Sequence, residues 1–239
     1  MNQKMVGTVI VGTFALVALL CAARPGRAAD AKKPYPSMAP LDQYLMADRD
    51  AEIALARSAA PPSVSKDATV MILGRHGYET AVEGTNGFVC IVERAWTGAF
   101  DSPEFWNPKN RGPLCFNPPA ARSILPITLM RTKFVLAGQS KDEIHESMKA
   151  AVEQKDLPAV EPGAMTYMLS KQGRLNDGAG HWVPHLMFYV PLKDAMTWGA
   201  GAPDSPILVN PQFNGAPEPV KEFMVPVSEW SDGTPAPAM

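Results

Sequence analysis

Apolar and polar positions alternate most regularly across residues 68–96. The β-branched run ATVMIL, which opens this region, is typical of a buried strand. The segments YETAVE (78–83) and FVCIVERAW (88–96) repeat with the period of two that a half-buried strand shows. GRHG and GTNG separate the three runs, and Asn-Gly favours the tight turn of a hairpin. The pattern predicts a three-stranded antiparallel meander whose second hairpin turns at Thr85-Asn86.

Helical periodicity marks three further segments. DRDAEIALARSAAPP predicts an N-terminal helix that begins after Asp48 or Asp50, packs through Ala51, Leu55 and Ala59, and ends before the two prolines. LPITLMRTKFVLAG has a proline in its first turn and a glycine just past its end, as helices prefer. SKDEIHESMKAAVEQ opens with a serine and a glutamate at the spacing of a capping box. The last two segments predict a central helical hairpin.

The final third of the chain returns to short apolar runs, at 165–170, 186–191, 206–210 and 222–227. Connections rich in Gly, Pro and Asp separate these runs, which predicts strands. Residues 97–119 predict an irregular loop instead, because Pro, Asn and Gly interrupt them too often for a helix or a central strand. The whole order predicts a one-domain α+β fold. It has an antiparallel sheet, an N-terminal helix and a central helical hairpin, with the helices on one face.

The chain begins with the layout of a secretory signal peptide. A short basic start, MNQK, precedes the apolar run MVGTVIVGTFALVALLCAA and then RPGRAAD. Cleavage after Ala28, Ala29 or Ala23 would give an exported protein, either periplasmic or extracellular. One alternative is an uncleaved anchor, since about 19 apolar residues can just span a bilayer. The other is a lipoprotein modified at Cys21.

This layout divides the chain into four parts. We expect a signal peptide at 1–29, a linker at 30–40, a single α+β domain at 41–230 and a disordered tail at 231–239. The 239 residues include 22 basic and 24 acidic side chains, with a net charge of −2 and no basic block. Nucleic-acid binding is therefore not expected, and membrane contact is expected only through the signal segment if it is uncleaved.

Two cysteines, Cys90 and Cys115, remain once residues 1–29 are removed. In an exported protein such a pair predicts one disulfide. The bond would close a loop of about 25 residues and stabilise the fold by about 3 kcal/mol in the chain-entropy model.

Histidines supply the candidate metal site. His181 and His185 are the close pair in the sequence, and imidazoles are common zinc ligands. The proline between them argues against a helix, so both side chains would have to point to the same side of an extended segment. A third ligand would come from His76, Glu79 or Asp177. The alternative is that the histidines are hydrogen-bonded structural residues, in which case no cofactor is expected.

Cys90 together with a histidine is a candidate for thiol catalysis, because a nucleophilic cysteine needs a base that keeps it as the thiolate. In VPHLMFYVP, His185 directly precedes an apolar strand. This segment resembles the histidine strand of secreted NlpC/P60-type cysteine peptidases. The Asp-Cys-Ser-Gly run of that family is absent, since Val89 precedes Cys90 and Ile91-Val92 follow it.

Three glutamates form another catalytic candidate. Glu79 and Glu83 share a face of one predicted strand, and Glu93 lies on the next. Paired carboxyl groups can perform the acid and base steps of glycoside hydrolysis. The alternative is that they form the solvated face of a sheet.

The long loop holds the candidate ligand-binding residues Trp106, Phe116 and Asn117. Aromatic rings stack on sugars and peptides while amides hydrogen-bond to them, so the loop could bind an envelope glycan or a peptide. The alternative is that the rings pack the loop onto the core.

Three segments resemble a group of uncharacterised exported bacterial proteins: AEIALARSAAP, GTNGFVCIVERAW and the Pro-rich loop that contains Cys115. The resemblance covers most of the chain after the signal segment. It implies export and a shared fold, and it implies no activity.

The sequence thus favours an exported, soluble, non-enzymatic protein that binds a ligand or associates with the cell envelope. The alternative is a secreted metal-dependent or cysteine-type hydrolase that uses His181 and His185 with His76 or Cys90. A third class is a purely structural protein. The sequence leaves open whether the chain is an enzyme.

Overall fold

The computed structural model describes residues 35–177 and 182–237. The signal segment at 1–29, residues 30–34 of the linker and His181 lie outside the described residues. The strands are β1 Thr69–Gly74, β2 Gly77–Val82, β3 Val89–Glu93, β4 Gly112–Phe116, β5 Met165–Met168, β6 His185–Pro191, β7 Leu208–Asn210 and β8 Val220–Pro226. The helices are α1 Arg49–Arg57, α2 Pro62–Ser65, α3 Pro118–Ser123, α4 Leu125–Leu136 and α5 Lys141–Gln154, with short 3₁₀ turns between elements.

The strands form one sheet in the order β2-β1-β3-β4-β5-β6-β8-β7. Every neighbouring pair is antiparallel except β1 and β3, which are parallel. The predicted α+β class, the N-terminal helix and the central helical hairpin of α4 and α5 are confirmed. In the two described ranges, no helix has both the length and the apolar character that crossing a membrane requires.

Capping explains where two of the predicted helices begin. The Asp48 side chain accepts hydrogen bonds from the backbone N–H groups of Asp50 and Ala51 at the start of α1. Ser140 and Glu143 form the predicted capping box at the start of α5. Both contacts satisfy backbone donors that have no partner inside the helix.

The predicted meander is wrong in its second connection. β1 and β2 form a hairpin as expected, but β3 pairs with the other side of β1. Residues 84–87 therefore carry the chain across the start of β1 instead of closing a hairpin. Gly84 donates from its backbone N–H to the Thr69 hydroxyl at 3.1 Å, and Thr85 donates to the Asp67 carbonyl at 2.8 Å. Only glycine fits here, because a Cβ at position 84 would lie 2.1 Å from the Thr69 nitrogen.

The region 97–119 contains a central strand that the sequence does not predict. β4 pairs along its whole length with β3 and lies in the middle of the sheet. Its Pro113 is tolerated because the proline nitrogen faces β5, which pairs with β4 only at Cys115 and Phe116. On the β5 side of β4, the next backbone pairing is the Arg111–Arg174 bridge. Position 113 lies between the two paired stretches, so it needs no N–H donor on that side.

Helices pack on both faces of the sheet, and not on one as predicted. The reason is that β3 and β4 are buried on both sides, so each face needs a cover. One face packs against α1 through a cluster of buried residues: Leu55, Ala56, Ala59, Val70, Cys90, Val92 and Cys115. The other face packs against α3, α4 and α5 through a larger cluster that includes Ile91, Leu114, Phe116, Ile127, Val135, Ile144 and Met187.

The Cys90–Cys115 disulfide is confirmed. The two residues face each other across β3 and β4, and both are fully buried on the α1 face. While this bond is intact, Cys90 has no thiolate and cannot act as a nucleophile.

The described part of the tail is hydrogen-bonded to the domain. Ser231 donates from its backbone to the Leu169 carbonyl at 3.0 Å, and Ala236 donates to the Ser228 carbonyl at 2.8 Å. Residues 231–237, which we expected to be disordered, therefore fold back on the chain that precedes them.

The sheet curls around its α3–α5 face. Glu93 on β3 and Asn210 on β7 line one cavity of about 290 Å³. Their strands are five positions apart in the sheet order, which would separate them by about 24 Å in a flat sheet. Both residues can line a cavity of this size because the twisted sheet is curved, which makes this face concave.

Arg131 on α4 ties the two sides of the concave face together. Its Nε and Nη2 donate to the Glu218 carboxylate, just before β8, at 2.8 and 3.0 Å. Its Nη1 donates to the carbonyls of Thr97 and Gly98, just after β3, at 2.9 Å each. The arginine and the glutamate are buried. This contact joins parts of the chain that the sheet order separates by three strands.

Replacing Arg131 with methionine should destabilise the fold strongly, because the Glu218 carboxylate would stay buried without its partner. We expect the free energy of unfolding, measured by urea denaturation, to fall by about 3–5 kcal/mol. The matched control, Arg122→Met, breaks the exposed Arg122–Glu161 pair and should leave the midpoint nearly unchanged. Equal losses in the two variants would contradict the role of Arg131.

Candidate functional site

The metal and catalytic candidates that lie among the described residues do not meet in one site. His76 and Glu79 are exposed on the β1–β2 hairpin, where Glu79 accepts a hydrogen bond from Arg49 at 3.0 Å. His185 lies on β6, and Cys90 faces the opposite side of the sheet in its disulfide. Among the described residues, no group of three or more His, Cys, Asp or Glu side chains could hold a metal ion.

The three ligand-binding candidates serve different roles. Phe116 is fully buried on β4. Asn117 caps α3 by accepting from Ala120 N–H at 3.0 Å, and its amide donates to the Gly163 carbonyl at 2.8 Å. Trp106 is buried against Phe105, but it lines a groove of about 590 Å³ between the long loop that contains it and the start of α5. The loop therefore packs onto the core and does not present these three side chains together.

The three glutamates of the other catalytic candidate also lie in different environments. Glu79 and Glu83 are exposed, as the solvated-face alternative expects. Glu93, in contrast, is buried and points into the concave face. The cavity there is the strongest candidate for a functional site. Its polar and sulfur-bearing lining residues include Glu93, Thr97, Met168, His185, Met187, Asn210 and Met224.

Glycine at position 112 keeps the cavity open. Glu93 on β3 is the cross-strand partner of Gly112 on β4. A Cβ at Gly112 would lie 3.5 Å from the Met168 methyl and 3.6 Å from the Glu93 Cβ. Alanine would thus make ordinary contacts, whereas a larger side chain would extend into the space that the cavity occupies.

His185 presents one free nitrogen acceptor. Its Nδ1 lies 2.7 Å from the Val183 carbonyl, so Nδ1 carries the proton and donates it. Nε2 then keeps its lone pair. Burial lowers the pKa of His185, which favours this neutral form.

Glu93 is held by two threonines. Thr128 donates to one carboxyl oxygen at 2.9 Å, and Thr97 donates to the other at 3.1 Å. Burial raises the pKa of Glu93 to about 7, although the two hydroxyls and the nearby Arg131 oppose the shift. The Glu93 carboxyl group therefore titrates near neutral pH.

Glu222 on β8 is fully buried beside the cavity wall. The Asn210 amide donates to one of its carboxyl oxygens, and the other, Oε2, has no hydrogen-bond partner among the described residues. Burial, and then the charge of Glu93, raises the pKa of Glu222 to about 8. Its carboxyl group is therefore mainly protonated at neutral pH.

No family model, no curated protein and no solved structure matches the chain. The resemblance to exported bacterial proteins therefore stays an expectation.

Sequence reasoning singled out His185 and Glu93 but missed Glu222 and the three methionines of the cavity. The period of two in HLMFYVP and VKEFMVP places His185 with Met187, and Glu222 with Met224, on one strand face. That signal was present in the sequence. It could not show that this face is concave and encloses a cavity.

Glu93 should give the stability a characteristic pH dependence. Because its folded pKa is raised to about 7, the folded state keeps a proton that the unfolded state releases above about 4.5. The stability from Glu93 is therefore fully present below pH 4.5 and is lost as the pH rises through 7. We expect the unfolding free energy of the wild type, minus that of Glu93→Gln, to fall over this range by at most about 1.4 kcal/mol per pH unit.

Urea unfolding at several pH values measures this difference. The lowered pKa of His185 acts with the opposite sign, so that its contribution is lost as the pH falls, but it is common to both proteins and cancels. A difference that stays constant, or that grows with pH, would contradict the assignment.

Proposed function

We propose that the chain is an exported, non-enzymatic binding protein that holds a small ligand in the cavity of its concave sheet face. The observation that carries the proposal is the lining of this cavity. Apolar side chains such as Trp182 and Leu175 form its walls, and a few polar groups converge on it. Cavities with this composition are the usual sites for small ligands.

The polar groups in the cavity are fixed before a ligand arrives. Thr97 and Thr128 hold the Glu93 carboxyl group, and the Val183 carbonyl holds the His185 ring. The Trp182 indole N–H donates to the Met168 carbonyl at 3.1 Å. Groups that are positioned in advance lose little conformational entropy on binding, which supports recognition.

The hydrolase alternative has less support. A cysteine hydrolase needs a thiolate beside a histidine, whereas Cys90 is bonded to Cys115 on the face away from His185. A metal hydrolase of the expected kind needs His76 near His185. His76 is exposed in the turn between β1 and β2, and the described residues contain no group of three His, Cys, Asp or Glu side chains that could hold a metal ion. The raised pKa of Glu93 would suit an acid or base, but both of its carboxyl oxygens accept hydrogen bonds from Thr97 and Thr128, which fix the group in the cavity wall.

Methionine methyl NMR tests the proposal. The probe is a mixture of neutral and cationic organic fragments small enough for about 290 Å³. We expect the methyl signals of Met187 and Met224 to shift, because these side chains line the cavity. Met196 is an internal control, since its side chain is 91% exposed and is not among the residues that line the cavity.

A cavity-filling variant makes the test specific. Gly112→Leu should abolish the shifts, whereas Gly112→Ala, which makes only ordinary contacts, should retain them. Circular dichroism and urea unfolding establish that both variants are folded. Shifts that persist in a folded Gly112→Leu protein, or that occur only at Met196, would contradict the proposal.

A further inference from the structure

Three thioethers and one imidazole occupy neighbouring positions on the concave face. Met168 on β5 is the cross-strand partner of His185 on β6. Met187 on β6 is the partner of Met224 on β8. His185 and Met187 are two residues apart on the same strand, so they point to the same side. All four side chains line the same cavity.

The backbone spacing brings these groups within reach of one centre. Cross-strand partners have Cα atoms about 4.5–5.5 Å apart, and residues two positions apart on a strand are separated by about 6.5–7 Å. Methionine has a long, unbranched side chain with three rotatable bonds, so its sulfur can approach a point between the strands. The Met187 sulfur lies 4.0 Å from the Asn210 amide nitrogen, which places it at the polar side of the cavity.

The chemistry of this set selects a soft cation. Thioether sulfur is a neutral, polarisable donor that suits Cu(I), while Mg²⁺ and Ca²⁺ require oxygen donors. Zinc sites in proteins use thiolate, imidazole and carboxylate ligands, and this set provides one imidazole. A monovalent ion also has a smaller desolvation cost than a divalent ion in a buried site with neutral ligands.

His185 is already oriented as a metal ligand. Its Nδ1–H donates to the Val183 carbonyl at 2.7 Å, which leaves Nε2 as the nitrogen that can coordinate. Histidines that bind metals usually have a hydrogen bond of this type behind them, because it fixes the tautomer and the ring orientation.

Packing alone does not account for this cluster. Methionines that only fill a core leave little empty space between them. Here Met168 and Met187 are almost fully buried, yet they border a cavity of about 290 Å³. Gly112 preserves that space next to Met168.

We propose that the cavity is a soft-metal site in which Met168, Met187, Met224 and His185 bind Cu(I), with Ag(I) as its redox-inert analogue. The proposal rests on the proposed function, because it takes the cavity to be the binding site and names what the cavity holds. Only binding is involved, so no electron transfer is required.

Silver titration followed by methionine methyl NMR tests the site. The protein is the full chain with Cys21→Ser, which removes the cysteine outside the Cys90–Cys115 disulfide. We expect about one equivalent of Ag(I) to shift the methyl signals of Met168, Met187 and Met224 and to leave that of Met196 unmoved. The same amount of Zn(II) should leave all four signals in place.

Paired variants assign the ligands. Met187→Leu and Met224→Leu conserve volume, so both proteins should fold while they bind Ag(I) at least tenfold more weakly. Met196→Leu is the matched control and should bind like the parent protein. A His185→Phe variant removes the nitrogen donor and should also weaken binding, and urea unfolding shows whether it folds.

The outcomes separate this inference from the function on which it rests. If organic fragments bind in a Gly112-dependent way and Ag(I) does not, the metal assignment is overturned and the binding function stands. If neither binds, both are overturned. Silver binding that is equal in Met187→Leu, Met224→Leu and Met196→Leu would also overturn the assignment, as would displacement by Zn(II).

Discussion

The bonds of Arg131 hold the sheet in the curved form on which the cavity depends. One guanidinium spans the concave face, with Glu218 on one side and the carbonyls of Thr97 and Gly98 on the other. Desolvating both charges is costly, so the pair is stable only because each arginine nitrogen has an acceptor. The planar guanidinium fixes both the direction and the length of these hydrogen bonds, whereas the ammonium group of a lysine would not fix their direction.

A second buried ion pair acts on the other face. Arg94 donates to Glu52 of α1 at 2.8 Å, and Glu52 also accepts from the Leu73 backbone at 3.2 Å. This contact ties the N-terminal helix to the chain after β3 and to β1, while the disulfide joins β3 to β4. The end of β3 is therefore fixed from both sides of the sheet. Glu93 lies at that end, so its position in the cavity wall follows from these two networks.

Local signals in the sequence were enough for the elements that depend on local structure. Asp48 and the capping box at Ser140 located α1 and the central helical hairpin, and the cysteine count located the disulfide. The local signals gave wrong predictions where tertiary contacts determine the position of a residue. Asn86 looked like a hairpin residue, but its amide donates to the Val64 carbonyl at 2.7 Å and anchors the crossing before β3. Ala51, predicted to pack, is exposed, and its neighbour Glu52 is buried because Arg94 offers it a partner.

The candidate site shows the same division between local pattern and tertiary structure. Its methionines and His185 follow the strand period, yet only the curl of the sheet turns a strip of neighbouring side chains into a cavity wall. X-ray absorption spectroscopy of the Cu(I)-loaded protein tests this account most directly, because it reads the atoms around the metal. The account predicts a shell of three sulfur atoms with one imidazole nitrogen, which loses a sulfur atom in Met187→Leu. A shell of only nitrogen and oxygen atoms, or one unchanged in that variant, would contradict it.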